Sequence, residues 1–296
     1  MTRKFWEGGL NVEPAVAAEQ NHRNLEQEES HLRRIARGGI TALIAALLVV
    51  LFGASQPAQA LSYGYFAGHP LYRGSEPWCT GGWTIQGTSG TFILTAGHCF
   101  GVGERVSGTA VPFGTMAYRK FNGTEGDSGL IRPDAGVTMY QIVVDPRTGQ
   151  TPPGTNGRVT GKMPNYEQTN GTLVGKMGIT TGRTEGTIQY RYPRNGVYVY
   201  CATYARAGGD SGGPVWRNDS QGLRAVGMHV GSIVYNGATL GCYYPIDTLL
   251  SQWGASMNFF PSARMQAPSG DLMPPSESTD FPPIVTDADG AVWSND

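Results

Sequence analysis

Between Leu61 and Phe260 the chain is punctuated by pairs of turn-forming residues: Gly81-Gly82, Asn122-Gly123, Asn156-Gly157, Asn170-Gly171, Asn195-Gly196 and Asn236-Gly237. Asn-Gly takes up the paired left-handed conformations of a tight hairpin turn. The runs between these pairs are short and use Thr, Val and Tyr, which suit a pleated, half-buried surface. Long helical periodicity is missing here. The roughly 200 residues between Leu61 and Phe260 therefore favour a β-rich fold of short strands joined by tight turns, and the 43 glycines of the chain agree with that. One helix is expected near the end, Thr248 to Trp253, with Asp247 as N-cap and Gly254 as its stop. Pro152-Pro153-Gly154 lies midway and is a candidate linker between two halves, and no repeat of solenoid period is visible.

The two ends of the chain have different compositions. Residues 1–60 read as a secretory signal peptide with a long n-region: Arg33, Arg34 and Arg37 precede the apolar run Ile40 to Phe52, and Ser55 to Ala60 ends in Ala-x-Ala. The run is short for a spanning helix, which needs about 20 residues. Cleavage after Ala60 is expected, with secretion and no stable membrane insertion afterwards. An uncleaved anchor, a downstream start codon and twin-arginine export stay open. His22 and His31 fall in this segment and enter no active-site argument. Residues 261–296 are rich in Pro, Ser and Asp, with Arg264 as the one basic residue. A stretch of this average composition buries too little apolar surface to offset its ordering entropy, so a disordered acidic tail is expected.

A net charge of -1 with 15% charged residues gives no sign of a nucleic-acid or membrane-surface partner. The cysteines are Cys79, Cys99, Cys201 and Cys242, an even set without a Cys-x-x-Cys pair. In an oxidising compartment they read as two disulfides, and four cysteines allow three pairings.

Two segments carry chemistry. Ile93 to Cys99 reads ILTAGHC, an apolar β-type run leading into a histidine, and Gly209 to Val215 reads GDSGGPV, a serine on a glycine-rich turn. Small residues let a substrate carbonyl approach a hydroxyl closely, and successive backbone N–H groups on such a turn can point at an oxyanion. A serine hydroxyl is a poor nucleophile without a base such as His98 and a carboxylate to orient that base.

With these motifs the chain resembles the chymotrypsin-like serine proteases, in particular their secreted bacterial branch of streptogrisin and alpha-lytic protease. The resemblance runs from Cys79 to Trp253 on four anchors: Cys-x-Gly-Gly-Trp followed by TAGHC; Asp127-Ser-Gly-Leu-Ile-Arg132; Gly178-Ile-Thr-Thr-Gly182 with Gly186-Thr-Ile188; and GDSGGPV followed by Cys242-Tyr-Tyr-Pro-Ile246. It implies two packed six-stranded antiparallel β-barrels with a short C-terminal helix, the first over residues 61–150 and the second over 151–260. The catalytic triad would be His98, Asp127 and Ser211, and the oxyanion hole the backbone N–H groups of Gly209 and Ser211. The implied disulfides are Cys79–Cys99 and Cys201–Cys242. A third family bridge is absent, with Gly175 and Glu185 where its cysteines would stand. Lys176 occupies the position of an internal basic residue that pairs with the acid before the nucleophile, which implies a buried Lys176–Asp210 ion pair; a solvated Lys176 is the alternative.

The substrates implied are peptides or proteins, cleaved by a monomer without cofactor or metal. For the S1 pocket, Gly227-Met-His229 is similar to a Gly-Ile-His segment of glutamyl endopeptidases, whose histidine meets the substrate carboxylate. His229 and Gly231 on one wall and Ala205 on the other are the candidate lining residues, with Arg206 nearby. Ala205 stands where a trypsin-like enzyme needs an acid, so Arg or Lys specificity is unsupported. An acidic P1 residue is the expectation, and a medium apolar pocket with His229 turned away is its rival.

Gly-Asp-Ser-Gly also occurs at Gly126 to Gly129. Its continuation Leu-Ile-Arg is that of the acid motif, so Asp127 is assigned as the acid, Ser128 as a bystander and Asp134 as the competing carboxylate. Gly209-x-Ser-x-Gly213 also fits an α/β-hydrolase elbow. That fold orders its triad Ser, acid, His, and needs helices this chain lacks. A protease-like binding protein without activity is the non-enzymatic rival. A zinc protease is disfavoured, because His69, His98 and His229 form no His-x-x-x-His pair.

Overall fold

The first half of the folded region runs through β1 (Tyr63–Ala67), β2 (Pro70–Arg73), β3 (Glu76–Thr80), β4 (Thr84–Gly87), β5 (Gly90–Thr95), β6 (Arg105–Ser107), β7 (Pro112–Lys120), β8 (Ser128–Pro133) and β9 (Val137–Val143). The computed structural model describes residues 63–109, 111–260 and 281–295. The segment expected to be a signal peptide lies outside the described residues. An antiparallel sheet has the order β3-β2-β6-β7-β8-β5-β4. Its two end strands, β3 and β4, are successive parts of one stretch of chain bent at Gly81-Gly82-Trp83, so the sheet curls into a barrel of six strands. The Gly81-Gly82 pair is thus a bend rather than a hairpin turn. A Cβ on Gly82 would lie 2.6 Å from the carbonyl oxygen of Gly212 and 2.7 Å from that of Leu94.

The second half continues with β10 (Val159–Lys162), β11 (Leu173–Gly178), β12 (Gly182–Arg194), β13 (Val197–Ala202), β14 (Pro214–Asp219), β15 (Gly222–Tyr235), β16 (Ala238–Pro245) and helix α1 (Ile246–Trp253). Here β15-β14-β11-β12-β13-β16 follow one another and β15 also pairs with β16, which closes a second ring of six. Parallel strand β10 is added on β15. Pro152 to Gly154 fall between β9 and β10, on the connection between the barrels. Two of the Asn-Gly pairs close two-residue hairpins: Asn195-Gly196 has φ of 50° and 79°, and Asn236-Gly237 has 49° and 73°.

Helix α1 starts two residues earlier than the sequence implies. Its N-cap is Pro245, so Asp247 stands in the first turn, where the helix dipole favours a carboxylate, and pairs with Lys162. Gly254 ends it at φ 54°.

The expectation of a disordered tail over 261–296 does not hold for residues 281–295. Val285 N–H donates to the Arg191 carbonyl at 2.9 Å and Arg191 N–H to that of Pro283 at 2.8 Å. Strand β17 (Val292–Ser294) then pairs antiparallel with β15. The average composition hides a local apolar cluster: Val285 and Ala291 are buried, and Trp293 packs against the core. Residues 261–280 lie outside the described part.

Trp83, fully buried, joins the barrels through its Nε1–H donated to the Gly227 carbonyl at 2.6 Å. Cys79–Cys99 staples the first barrel and Cys201–Cys242 the second, closing separations of 20 and 41 residues. Loop-closure entropy puts these at about 3 and 4 kcal/mol. Among the described residues no helix is long and apolar enough to cross a membrane.

Candidate active site

Strand β5 delivers His98 one turn past its end. There the Asp127 carboxylate, ahead of β8, holds it twice: Oδ1 accepts the His98 backbone N–H at 2.8 Å and Oδ2 lies 2.7 Å from the ring Nδ1. Asp127 is buried, and among the described residues the ring's Nε2 is buried with no hydrogen-bond partner. Imidazole pinned at Nδ1 by a carboxylate has Nε2 as its working nitrogen.

The Ser211 turn approaches from the second barrel. The Ser211 carbonyl accepts the Thr80 N–H at 2.8 Å and lies 3.8 Å from Cys99 Sγ, next in sequence to His98. Gly212 has φ 87°, and a Cβ there would lie 2.2 Å from both the Thr80 carbonyl oxygen and Thr95 Oγ1. Only glycine fits a site with that backbone and that contact. Gly212 N–H then donates to the His229 carbonyl at 2.7 Å, and His229 N–H to that of Gly213 at 2.9 Å. Gly209 has φ 94°, and its carbonyl accepts Thr80 Oγ1–H at 2.8 Å.

Behind the turn, Asp210 and Lys176 form an ion pair at 2.6 Å with both side chains fully buried. Thr181 Oγ1 and the Ala207 N–H also bond Oδ2, at 2.6 and 3.1 Å, while the N–H groups of Thr180 and Thr181 bond Oδ1 at 2.9 and 3.2 Å. Burial pushes the Asp210 carboxyl up, but the Lys176 charge, the hydrogen bonds from Lys176 and Thr181 and the His229 charge outweigh it and hold it below the usual carboxylate range.

The remaining candidates named from the sequence fall elsewhere. Ser128 is buried and accepts Trp253 Nε1–H at 3.0 Å, a structural bond between α1 and the first barrel. Asp134 pairs at the surface with Arg105 at 2.5 Å. His69 is enclosed by Tyr63, Tyr65, Phe66 and Phe113, and burial pushes its ring down to about 4. Cys79, His98 and Cys99 bring ligand atoms within 4.8 Å of one another, but both sulfurs are spent in the disulfide and cannot hold a metal.

His229 is fully buried on β15, with Nδ1 3.1 Å from the Tyr204 hydroxyl and the two rings edge to face. Tyr204 escapes the sequence reading, because nothing in the 201–209 loop marks it as a partner of a residue on another strand. Thr80, which ties the nucleophile turn to the first barrel, is missed for the same reason. Ala205 lies exposed beside Tyr204, its carbonyl accepting Thr184 Oγ1–H at 2.7 Å. Gly231 lies under the C-terminal segment: a Cβ on it would meet the Ser294 carbonyl oxygen at 2.5 Å and Trp293 Cζ2 at 2.7 Å.

Two rings of six strands, in this order, are the architecture of the chymotrypsin-like serine endopeptidases. The chain matches the family model described as Trypsin over residues 56–253 and belongs to that family. Among solved structures it is similar to Thermobifida fusca protease A, at 28% identity over 67% of this chain and 100% of that one, with a TM-score of 0.52. The Nocardiopsis protease NAPase matches at 25% identity over 65% and 97%, TM-score 0.51. A glutamic acid specific serine protease that utilizes a histidine triad in substrate binding matches at 25% identity over 64% and 98%, TM-score 0.51. No curated protein sequence matches the chain.

Proposed function

We propose that the chain is a secreted endopeptidase that cleaves peptide bonds through an acyl-enzyme on Ser211, with His98 as base and Asp127 as the orienting acid. The observation that carries this reading is the double hold of Asp127 on His98, which leaves Nε2 as the ring nitrogen free for proton transfer among the described residues. Ser211 Oγ attacks the scissile carbonyl carbon while His98 Nε2 takes the hydroxyl proton. The N–H groups of Gly209 and Ser211 receive the developing oxyanion. The C–N bond breaks as Nε2 returns the proton to the leaving amine. Water then attacks the ester, giving its proton to Nε2, and Ser211 leaves with a proton regained from His98.

Secretion follows from the sequence of residues 1–60, with cleavage after Ala60, and the two disulfides fit an oxidising compartment. An acidic P1 residue is preferred, with His229 as the group that meets its carboxylate. Support comes from Gly227-Met-His229 and from the likeness to a glutamic acid specific protease. That protein uses three histidines; here the second ring on His229 is Tyr204, and His69 is packed among aromatic residues of the first half.

A fluorophosphonate label read by mass spectrometry, with a P1 series of Glu, Asp, Phe, Leu and Ala peptides, tests both parts. Label on Ser211 is expected, lost in Ser211→Ala. Glu or Asp is expected to lead in kcat/KM, and a lead for Phe or Leu refutes the acidic preference.

A further inference from the structure

The long strand β15 has two edges, and they can be told apart. β16 pairs with it from Gly227 to Tyr235 along one edge, while β14 pairs with Gly227 and Met228 as well and must lie on the other. That second edge leads to the nucleophile turn, because His229 exchanges its backbone hydrogen bonds with Gly212 and Gly213 there. Three residues further on, Ser232, Ile233 and Val234 pair with Ser294, Trp293 and Val292 of β17. β16 already fills the first edge at these positions, so β17 lies on the same edge as the nucleophile turn. It is antiparallel to β15, so its C-terminal end is the end nearer Ser211.

An extended peptide offering its carbonyl to Ser211 has the same requirements. The residues on the N-terminal side of its scissile bond run toward the serine, and they need backbone partners on an open strand edge. The edge from Val230 to Val234 is the one adjoining the nucleophile turn.

We propose that residues 281–295 are an intramolecular ligand of the peptide-binding groove: β17 holds the place of a substrate's N-terminal side and competes with it. The inference rests on Ser211 being the nucleophile. The segment is fitted to the groove. The Trp293 ring stacks on Tyr192 at 5.7 Å, the Arg194 guanidinium lies 4.8 Å over that indole, and Tyr192 OH donates to Asp287. Arg191 Nε–H donates to the Pro282 carbonyl at 3.0 Å. Gly231 has no room for a side chain beneath Trp293 and Ser294. The hold is nonetheless limited: Val292 is 63% exposed and the paired strand is three residues long. Such a strand is displaced by a longer peptide rather than blocking the groove permanently.

The test uses the full chain and two substrates: a six-residue peptide amide that needs the strand edge, and an N-acetyl amino acid ester that needs only S1. Trp293→Ala is expected to lower KM for the peptide about tenfold, the order expected when a tethered competitor at millimolar effective concentration is removed. Its ester kcat/KM should stay unchanged. Oxidising the paired variant Val234→Cys with Val292→Cys should lock the tail down, cutting peptide turnover at least tenfold relative to the same variant reduced, with no effect of oxidation on ester turnover or on the fluorophosphonate label on Ser211. If ester turnover is normal and neither variant moves the peptide constants beyond twofold, the tail does not compete. If the unaltered chain neither cleaves the ester nor takes the label, the nucleophile assignment falls and the inference with it.

Discussion

In the first barrel, one carboxylate holds one residue: Asp127 takes the backbone N–H and the ring of His98. In the second, one carboxylate holds a whole turn. Asp210 receives Lys176 Nζ, the Thr181 hydroxyl and three backbone N–H groups, drawn from β11, the 179–181 turn and the nucleophile loop. Both carboxylates are buried, yet their removal has different consequences. Asp127 orients a ring on a backbone that β5 and the Cys79–Cys99 bridge already fix. Asp210 gathers backbone from three separate stretches of chain around the turn that carries Ser211. Site substitutions in the first barrel should therefore change activity alone, and those around Asp210 should change activity and stability together.

The largest expected effect breaks the first half of that comparison. Ser211→Ala, His98→Ala and Asp127→Asn should each lower kcat by about 10⁴-fold. The melting temperature of Asp127→Asn should stay near that of the unaltered chain. A large fall in its stability, read by calorimetry beside steady-state kinetics, would show that Asp127 also supports the fold and that the two barrels do not differ.

The next effect tests the second half. Lys176→Met leaves the buried Asp210 carboxylate without the ammonium it pairs with, a situation that costs about 3–5 kcal/mol. Chemical denaturation should show that loss, and activity should fall with it because the turn carrying Ser211 relaxes. Replacing Lys176 with no loss of stability would mean that the four remaining donors suffice.

The same contrast accounts for what is legible in the sequence. His98, Asp127, Ser211, Lys176 and Asp210 stand in short segments similar to motifs of the protease family, and the Asn-Gly hairpins announce themselves by backbone preference alone. Thr80 and Tyr204 carry no such mark: each matters because of a partner distant in the chain, Gly209 for one and His229 for the other. The start of helix α1 is ambiguous by two residues because Asp247 fits an N-cap as well as a first turn. The 281–295 segment is hidden by averaging. A window of 36 residues is acidic and Pro-rich as a whole, while Ile284, Val285, Val292 and Trp293 within it suffice to dock on a sheet edge that only the folded barrel provides.

Acid should reach the two barrels in turn. The His69 ring, buried beside Tyr63 and Phe113, sits at about 4 against an ordinary 6.5. The unfolded chain binds this proton first, so stability is full above about pH 6.5 and declines down to pH 4, by at most about 3 kcal/mol. The Asp210 carboxyl, held below the usual range, stays ionised through that window, and its contribution is lost only as pH falls below about 4. Urea midpoints measured from pH 8 to pH 3 should show the first decline, and His69→Phe should flatten it without touching the second. A decline between pH 6.5 and 4 that survives His69→Phe would assign it to another group.

The smallest effect is the sharpest control on which carboxylate belongs to the site. Asp134 also lies in the first barrel, also carries a lowered pKa through its hydrogen bonds to Arg105, and follows the Asp127 motif by seven positions. Its pair is open to solvent, at 49% and 40% side-chain exposure. Water screens such a pair and ordering two side chains offsets part of the attraction, so it contributes about 0.2–1 kcal/mol. Asp134→Asn should therefore shift the denaturation midpoint slightly, more at low salt than at high salt, and leave kcat/KM within twofold. Loss of peptidase activity in Asp134→Asn with retention in Asp127→Asn would reverse the assignment of the acid. It would also remove the contrast with Asp210, since the carboxylate serving the histidine would then be an exposed one.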